Sequence, residues 1–427
     1  MKRLKLLALL LMGSTVLTFA SQKRKVLLIG IDGTRADALQ AANTPNIDSL
    51  IATGAYTFDS WHTGITVSGP SWSTIFTGVN YMKHGVTDNS YSGSHFDQYN
   101  EFPKLAKEYK PNLYAAEVIE WSPLVDNVPN QYDGYNSRIK VPDGGTTPTG
   151  SVAVTQLLNS NMDVLTVYFD AVDLAGHSNG FSPNNPSYIS AIQAVDAQIG
   201  NIITALHSRP NYANEDWLVL ITTDHGGLGT GHGGNSNDER HIWWIGSGNH
   251  VIHKQLFGAD PGTYRIVPPG VDTAILKHTP VQADIAVTAL HHLIYDENVR
   301  PDTVTRWALD GKSLLDSIHV ETVDTTGNDT TSTPIDPTAV GNVASQELNV
   351  KVYPNPSTGL FTFWFDPNHQ KVSYSVFNTN GMLIRREEDV QMGYKLNVDL
   401  SAQESGMYII RIQAGAKVMD NKVIIAH

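Results

Sequence analysis

The 427-residue chain contains no cysteine. That excludes disulfide staples, a thiolate nucleophile and every thiolate-ligated metal site, so a metal here has to be held by imidazole and carboxylate. Basic residues are in deficit, with 29 Lys and Arg against 42 Asp and Glu and a net charge of −13. Binding to a nucleic-acid duplex needs a basic face, so it is not expected. An anionic small molecule fits such a chain only where bound dications reverse the local sign. Long apolar runs are also missing beyond the N-terminus. None reaches the roughly 18 residues of a membrane span, so no transmembrane segment is expected in the mature chain.

The N-terminus itself, MKRLKLLALLLMGSTVLTFA, has Lys2, Arg3 and Lys5, an apolar run from Leu6 and a small residue at Ala20. Residues 1–20 read as a secretory signal peptide. From about 25 to 318, apolar runs alternate with amphipathic stretches. KVLLIGI (25–31), NMDVLTVYF (161–169), DWLVLITT (216–223) and HIWWIGS (241–247) read as strands buried on both faces of a mostly parallel sheet. Between them, 188–207 places Ile192, Val195, Ile199, Ile202, Ile203 and Leu206 on one helical face, and 281–294, with Pro280 near its start, is a second such helix. The expectation is a three-layer α/β/α domain over 21–320. Residues 321–347, rich in Thr, Asp, Asn and Gly, read as a flexible linker. In 348–427, segments such as KVYPNPS, LFTFWFDP, KVSYSVFNTNG, YKLNVDLS and GMYIIRIQAG alternate apolar and polar residues between turns, which predicts a small antiparallel β-sandwich without a catalytic constellation.

Chemistry-bearing residues gather at the ends of the predicted strands. LLIGIDGTR ends in Asp32; VYFDAVDLAGHSNG supplies Asp170, Asp173 and His177; LVLITTDHGGLGTGHGG supplies Asp224, His225 and His232. Open α/β sheets bind ligands outside the carboxyl ends of their strands. Singly, each motif has a plain structural explanation: a turn at Asp32-Gly33, a helical surface pair at Asp173 and His177, an ordinary surface histidine at His232. A charged pair directly after the apolar run preceding Asp224 and His225 is harder to dismiss, because an unpartnered buried charge is costly. Together they read as carboxylate and imidazole ligands for two divalent metal ions, of which zinc suits the donor set. Paired metals about 4 Å apart are a common solution for in-line displacement at phosphorus. In TVSGPSWSTIFTG (66–78), a β-like run stops at Ser68-Gly69-Pro70 and a helix-like run follows. Taken alone Ser68 is a helix cap; beside a metal it becomes an activated nucleophile.

The order of these motifs resembles the alkaline phosphatase superfamily, in particular its nucleotide pyrophosphatase/phosphodiesterase branch. The resemblance covers roughly 25–318 and implies Asp32 as a metal ligand, Ser68 as the nucleophile nine residues before Thr77-Gly78, and Asn89 in His84-Gly85-x-x-x-Asn89 as a holder of a phosphate oxygen. It implies Asp173 and His177 from D-x-x-G-H, Asp224 and His225 from D-H-G, and a last histidine, for which His232 fits best and His241 and His278 are alternatives. The implied sets are Asp32, Asp224 and His225 for the metal beside Ser68, and Asp173, His177 and His232 for the second, with Asn89 and the Gly69 N–H steadying the phosphate oxygens. The branch usually carries Thr as nucleophile followed by an aromatic residue, where this chain has Ser68 and Gly69. Ser68-Gly69-Pro70-Ser71 is also similar to the sulfatase S/C-x-P-S-R signature, with Trp72 in place of the Arg. The expected activity is hydrolysis of phosphate esters as a phosphodiesterase or pyrophosphatase through a phosphoseryl intermediate. A phosphomonoesterase with the same site, or a surface-binding protein on this scaffold, are the alternatives. VYPNPSTGLF, NTNG and SGMYIIRI resemble the type IX secretion sorting domain, which implies that secretion machinery as a partner and a secreted or surface-attached protein of a Gram-negative bacterium.

Overall fold

Strand β1 (Lys23–Ile31) shows why the strands read as unbroken apolar runs: Leu27, Ile29 and Ile31 enter one buried cluster, Val26 and Leu28 another on the opposite face. The computed structural model describes residues 22–142, 148–258, 260–262, 279–295, 297, 299–315, 350–365, 371–378, 383–391, 395–414 and 417–426. The expected signal peptide 1–20, the linker 321–347 and His278 lie outside the described residues.

The main sheet has eight strands: β1, β2 (Ala55–Trp61), β3 (Tyr114–Ile119), β4 (Ser137–Lys140), β5 (Met162–Phe169), β6 (Glu215–Thr222), β7 (His241–Ser247) and β8 (Lys254–Gln255). Their order is β4-β3-β5-β1-β6-β7-β2-β8. Only β7 runs antiparallel to its neighbours. HIWWIGS is therefore a strand of the sheet, but against the direction of the other runs. The link from β6 returns along the same edge, so no crossover helix is needed. Helix Pro186–His207 covers one face with Tyr188, Ile192, Val195, Ile199 and Ile202; helices Ser68–Thr77 and Asp284–Ile294 cover the other with Trp72, Ile75, Phe76, Ile285, Ala289 and Leu293. This is the expected three-layer α/β/α arrangement. Among the described residues Pro186–His207 is also the one helix long and apolar enough to cross a membrane.

Two local expectations are corrected. The strand before Ser68 ends at Trp61, and Ser68-Gly69-Pro70 is the first turn of a helix whose N-cap is Val67. Proline is tolerated there because a first-turn N–H has no partner to lose. The helix expected from 281 starts at Asp284, whose carboxylate accepts the Val281 N–H at 2.9 Å.

The C-terminal region is all antiparallel. β9 (Val350–Tyr353), β10 (Leu360–Phe365) and β13 (Lys395–Asp399) form one sheet; β11 (Lys371–Asn378), β12 (Leu383–Gln391), β14 (Gly406–Ala414) and β15 (Lys417–Ile425) form another. They enclose a separate core around Phe361, Phe363, Val376, Val398, Ile410 and Val423.

Candidate active site

The carboxyl ends of β1, β5 and β6 bring the sequence-identified residues together. Asp32 follows β1, and its N–H still pairs with the Phe169 carbonyl at 2.9 Å, which keeps it at the rim of the sheet. Asp224 and His225 follow β6, and Gly33 N–H holds Asp224 Oδ1 at 3.1 Å. Gly33 has φ +62° and a Cβ there would lie 2.4 Å from Asp173 Oδ1, so the turn after β1 needs glycine both for its backbone and for room. Asp173 and His177 lie on helix Ala171–Asn179. Glu120, just beyond β3, accepts the N–H groups of Asp170 (2.6 Å) and Ala171 (3.3 Å) and so caps that helix from a neighbouring strand.

Three imidazoles are oriented in one way. His177 Nδ1 meets the Thr230 carbonyl at 2.9 Å, His225 Nδ1 the Gly226 carbonyl at 2.8 Å, and His232 Nδ1 the Thr66 carbonyl at 2.8 Å. A carbonyl can only accept, so each Nδ1 carries a proton and each Nε2 is turned inward as the ligand atom, that of His177 once a metal displaces the proton it shares with Asp173. The Nε2 atoms converge: His225 Nε2 is 3.2 Å from Asp224 Oδ2 and 3.6 Å from Asp32 Oδ1. His177 Nε2 is 3.1 Å from both Asp173 Oδ2 and His232 Nε2. The His225 and His232 rings stack 3.9 Å apart.

Such an assembly of acceptors calls for a cation. Asp32 Oδ1, Asp173 Oδ1 and Asp224 Oδ2 are buried without a hydrogen-bond partner. Burial, then the charge of Asp173, pushes Asp32 up to about 6. Burial, then Asp32, raises Asp224 well above the ordinary carboxylate range. Burial, then His225, depresses His232 to about 4, so its imidazole stays neutral. His177 is drawn up to about 9 by its hydrogen bond to Asp173, a proton standing where a metal would. Ligand atoms of Asp32, Asp224 and His225 lie within 4.8 Å of one another, as do those of Asp173, His225 and His232, and those of Asp32, Asp170 and Asp173. Sequence reading separated the histidines cleanly into two sets. In the structure His225 stands between both, and Asp170, noted only as a strand-end acid, adjoins Asp32 and Asp173.

Ser68 does not cap its helix, and its Oγ lies 3.5 Å from His225 Nε2. Asn89 is exposed at the rim, and its Oδ1 accepts the Gly69 N–H at 2.8 Å. The Gly69 N–H, expected to steady a phosphate oxygen, is here engaged by Asn89 and orients that side chain, whose Nδ2 is its donor end. A Cβ on residue 69 would stand 2.8 Å from the Asp88 carbonyl and 3.0 Å from Asn89 Oδ1, which accounts for glycine where an aromatic residue was the expected neighbour. His84, buried, meets Thr74 Oγ1 at 3.0 Å and so ties the Asn89 loop to the Ser68 helix. His241 is engaged elsewhere, 3.5 Å from Asp59 Oδ1 and stacked on Trp61 at 4.7 Å.

The supporting residues escaped sequence reading because most act through backbone atoms. Thr66 is the clearest case: its carbonyl fixes His232 while its hydroxyl donates to the Gly234 carbonyl at 2.7 Å, joining the Ser68 loop to the histidine loop. Trp72 was noted only as standing in place of an Arg and Tyr168 only as part of an apolar strand, yet both donate to Asp32 Oδ2, Trp72 Nε1 at 2.9 Å.

Comparison with known proteins follows the same division of the chain. Residues 26–156 and 128–235 match the type I phosphodiesterase / nucleotide pyrophosphatase family, and residues 351–426 the secretion system C-terminal sorting domain. Human bis(5'-adenosyl)-triphosphatase ENPP4 is 26% identical over 249 residues, covering 52% of this chain and 53% of that protein. Human ectonucleotide pyrophosphatase/phosphodiesterase family member 7 is 24% identical over 240 residues, covering 50% of each. The chain thus spans about half the length of the curated relatives it matches. The solved structure of a 2-O GAG sulfatase shares the fold at a TM-score of 0.51 and 14% identity, over 86% of this chain and 85% of that one. Residues 26–235 of the chain thus match the type I phosphodiesterase / nucleotide pyrophosphatase family, and its C-terminal region matches a secretion sorting domain.

Proposed function

We propose that the protein is an exported, metal-dependent phosphodiesterase or pyrophosphatase whose nucleophile is Ser68. The observation that carries this reading is the convergence of three buried, unpartnered carboxylate oxygens with three Nε2 atoms whose rings are each anchored through Nδ1 to a carbonyl. Imidazole-rich sites favour zinc over magnesium. Asp32, Asp224 and His225 would hold one ion beside Ser68, and Asp173, His177 and His232 a second, with His225 near enough to serve either. The ions would supply positive charge and lower the pKa of the bound hydroxyl and of water.

The chain's own groups set the rest. Ser68 Oγ gives its proton to water and forms the bond to phosphorus as the ester P–O bond opposite breaks, and the leaving oxygen takes a proton back from water. A water then attacks the phosphoserine, its oxygen stays on phosphorus while one of its protons passes to Oγ, the Oγ–P bond breaks and the Ser68 hydroxyl is regenerated. Asn89 Nδ2 donates to a non-bridging oxygen as charge builds there. Diesters are favoured over monoesters by the pairing of the guanidiniums on site-building elements. Arg35 is bound to Asp37 (2.6 Å), Asp238 (2.9 Å) and two carbonyls; Arg240 is bound to Asp260 (2.6 Å) and the carbonyls of His62 and Gly262. Neither is free to neutralise the additional charge of a monoester dianion. The sorting domain supports delivery to the outside of the cell through type IX secretion machinery.

The test compares p-nitrophenyl phosphate with bis-p-nitrophenyl phosphate and a nucleotide ester, before and after chelation. Chelation should abolish turnover and zinc should restore it better than magnesium. Active protein without a zinc-like ion, or a monoester turned over faster than both diesters, overturns the corresponding half of the reading.

A further inference from the structure

Trp72 occupies the place where the similar sulfatase signature has arginine, one helical turn below Ser68. Its indole is fully buried and lies edge-on to Tyr168, with ring centres 5.1 Å apart. On the face of β1 that carries Val26 and Leu28, the next position is Gly30, which pairs in register with Tyr168 on β5. A Cβ at Gly30 would stand 2.2 Å from the indole ring. The strand is therefore cut back to glycine where the indole enters. Its Nε1 then donates to Asp32 Oδ2 at 2.9 Å, and the Tyr168 hydroxyl donates to the same oxygen. The other oxygen, Oδ1, is left without a partner and turned toward His225 Nε2.

We propose that Trp72 is a positioning residue for metal binding. Its indole N–H, seated by Gly30 and seconded by Tyr168, occupies Asp32 Oδ2 so that Oδ1 alone is presented to the ion beside Ser68. This rests on the two-metal reading above and goes beyond it by giving one ligand a fixed single-oxygen mode. Outer hydrogen bonds of this kind typically change metal affinity about 10–100-fold. The same side chain belongs to the helix that begins at Ser68, so the nucleophile and the ligand beside it share one rigid anchor.

The experiment uses the full chain, stripped with chelator and titrated with zinc and separately with cobalt, comparing wild type with Trp72→Phe and Tyr168→Phe. Trp72→Phe keeps an aromatic ring and removes the N–H. Wild type should bind two ions. Trp72→Phe should bind one ion with wild-type affinity and the other at least about tenfold more weakly, with altered cobalt visible absorption. The indole N–H resonance lost in Trp72→Phe should shift in wild type as zinc is added. A role in packing alone would lower the melting temperature of the metal-free protein and leave the two affinities equal to wild type; that result overturns the proposal while the two-metal reading stands. Fewer than two ions bound by wild type overturns both. If Trp72→Phe does not fold, the resonance in wild type decides, and no shift on saturation with zinc counts against the proposal.

Discussion

At the scale of single residues, Ser68 separates chemistry from metal binding. Ser68→Ala removes the attacking oxygen and leaves every carboxylate and imidazole in place. It should retain both ions and lose more than 90% of kcat, since one decade is about 1.4 kcal/mol of barrier. Metal content and single-turnover rate check this, and retention of more than about a tenth of the rate would exclude a nucleophilic Ser68. Asn89→Ala should cost about 10²–10³ in kcat, as loss of one oxyanion donor does. Gly69→Ala should follow it in the same direction, because its Cβ collides with the atoms that hold Asn89. A Gly69→Ala enzyme as fast as wild type would mean that the Asn89 orientation is irrelevant. His232→Ala should lower bound metal from two ions toward one, whereas His241→Ala should leave both, since His241 is stacked on Trp61 with its Nε2 turned to within 3.5 Å of Asp59 Oδ1. Both ions retained in His232→Ala would remove it from the ligand set.

At the scale of elements, legibility followed burial on two faces. β1, β5 and β6 were readable because their central runs (26–31, 164–169 and 217–221) are nearly all apolar and both faces are covered. β3 was not, because YAAEVI carries Glu117 in mid-run and reads as surface. In the structure Glu117 is buried and held by Arg138 of β4, Nε to Oε1 at 2.6 Å, a partner that only the fold brings near. β12 (LIRREEDVQ) hid for a related reason: charge suits an edge strand, where it discourages pairing with another chain. The candidate metal ligands drew notice through their residue types at strand ends; their outer contacts did not, because Thr66, Gly226 and Thr230 act through carbonyls that any residue possesses. Glu117 also predicts a pH dependence. Burial pushes its pKa up to about 7 against the pull of Arg138. A carboxyl whose folded pKa exceeds its unfolded one gives stability that is fully present below the unfolded value and is lost as pH rises through the folded one. Over that interval the loss is on the order of 3 kcal/mol. In chelator, the melting temperature of wild type should fall between about pH 4.5 and 7, and Glu117→Gln should fall less. Parallel curves for the two proteins would show that Glu117 is ionised at the same pH folded and unfolded.

For the whole molecule, the question is whether the C-terminal sandwich takes part in catalysis. Its core shares no residue with the two clusters that sandwich the main sheet. Among the described residues Lys395 on β13 bridges the two regions: its Nζ donates to the Ala42 carbonyl at 2.9 Å and lies 3.8 Å from Asp48 Oδ2. Helix Ala36–Ala41 also approaches β9. Burial lowers the Lys395 pKa, so its contact is partly desolvated. Ala42 and Asp48 belong to the helical segment after β1 that covers the face opposite the Ser68 helix, so the contact touches none of the ligands or Asn89. One such pair contributes about 1 kcal/mol or less, which for a domain of this size corresponds to roughly 2–4 °C or less. A chain ending at residue 320 should therefore keep two ions and hold kcat/KM on bis-p-nitrophenyl phosphate within about twofold of the full chain. Its main unfolding transition should move by only a few degrees, and Lys395→Ala in the full chain should reproduce that small shift. If truncation instead costs more than tenfold in kcat/KM while the truncated chain still melts cooperatively, the sandwich contributes to the working enzyme, and a purely addressing role for it is wrong.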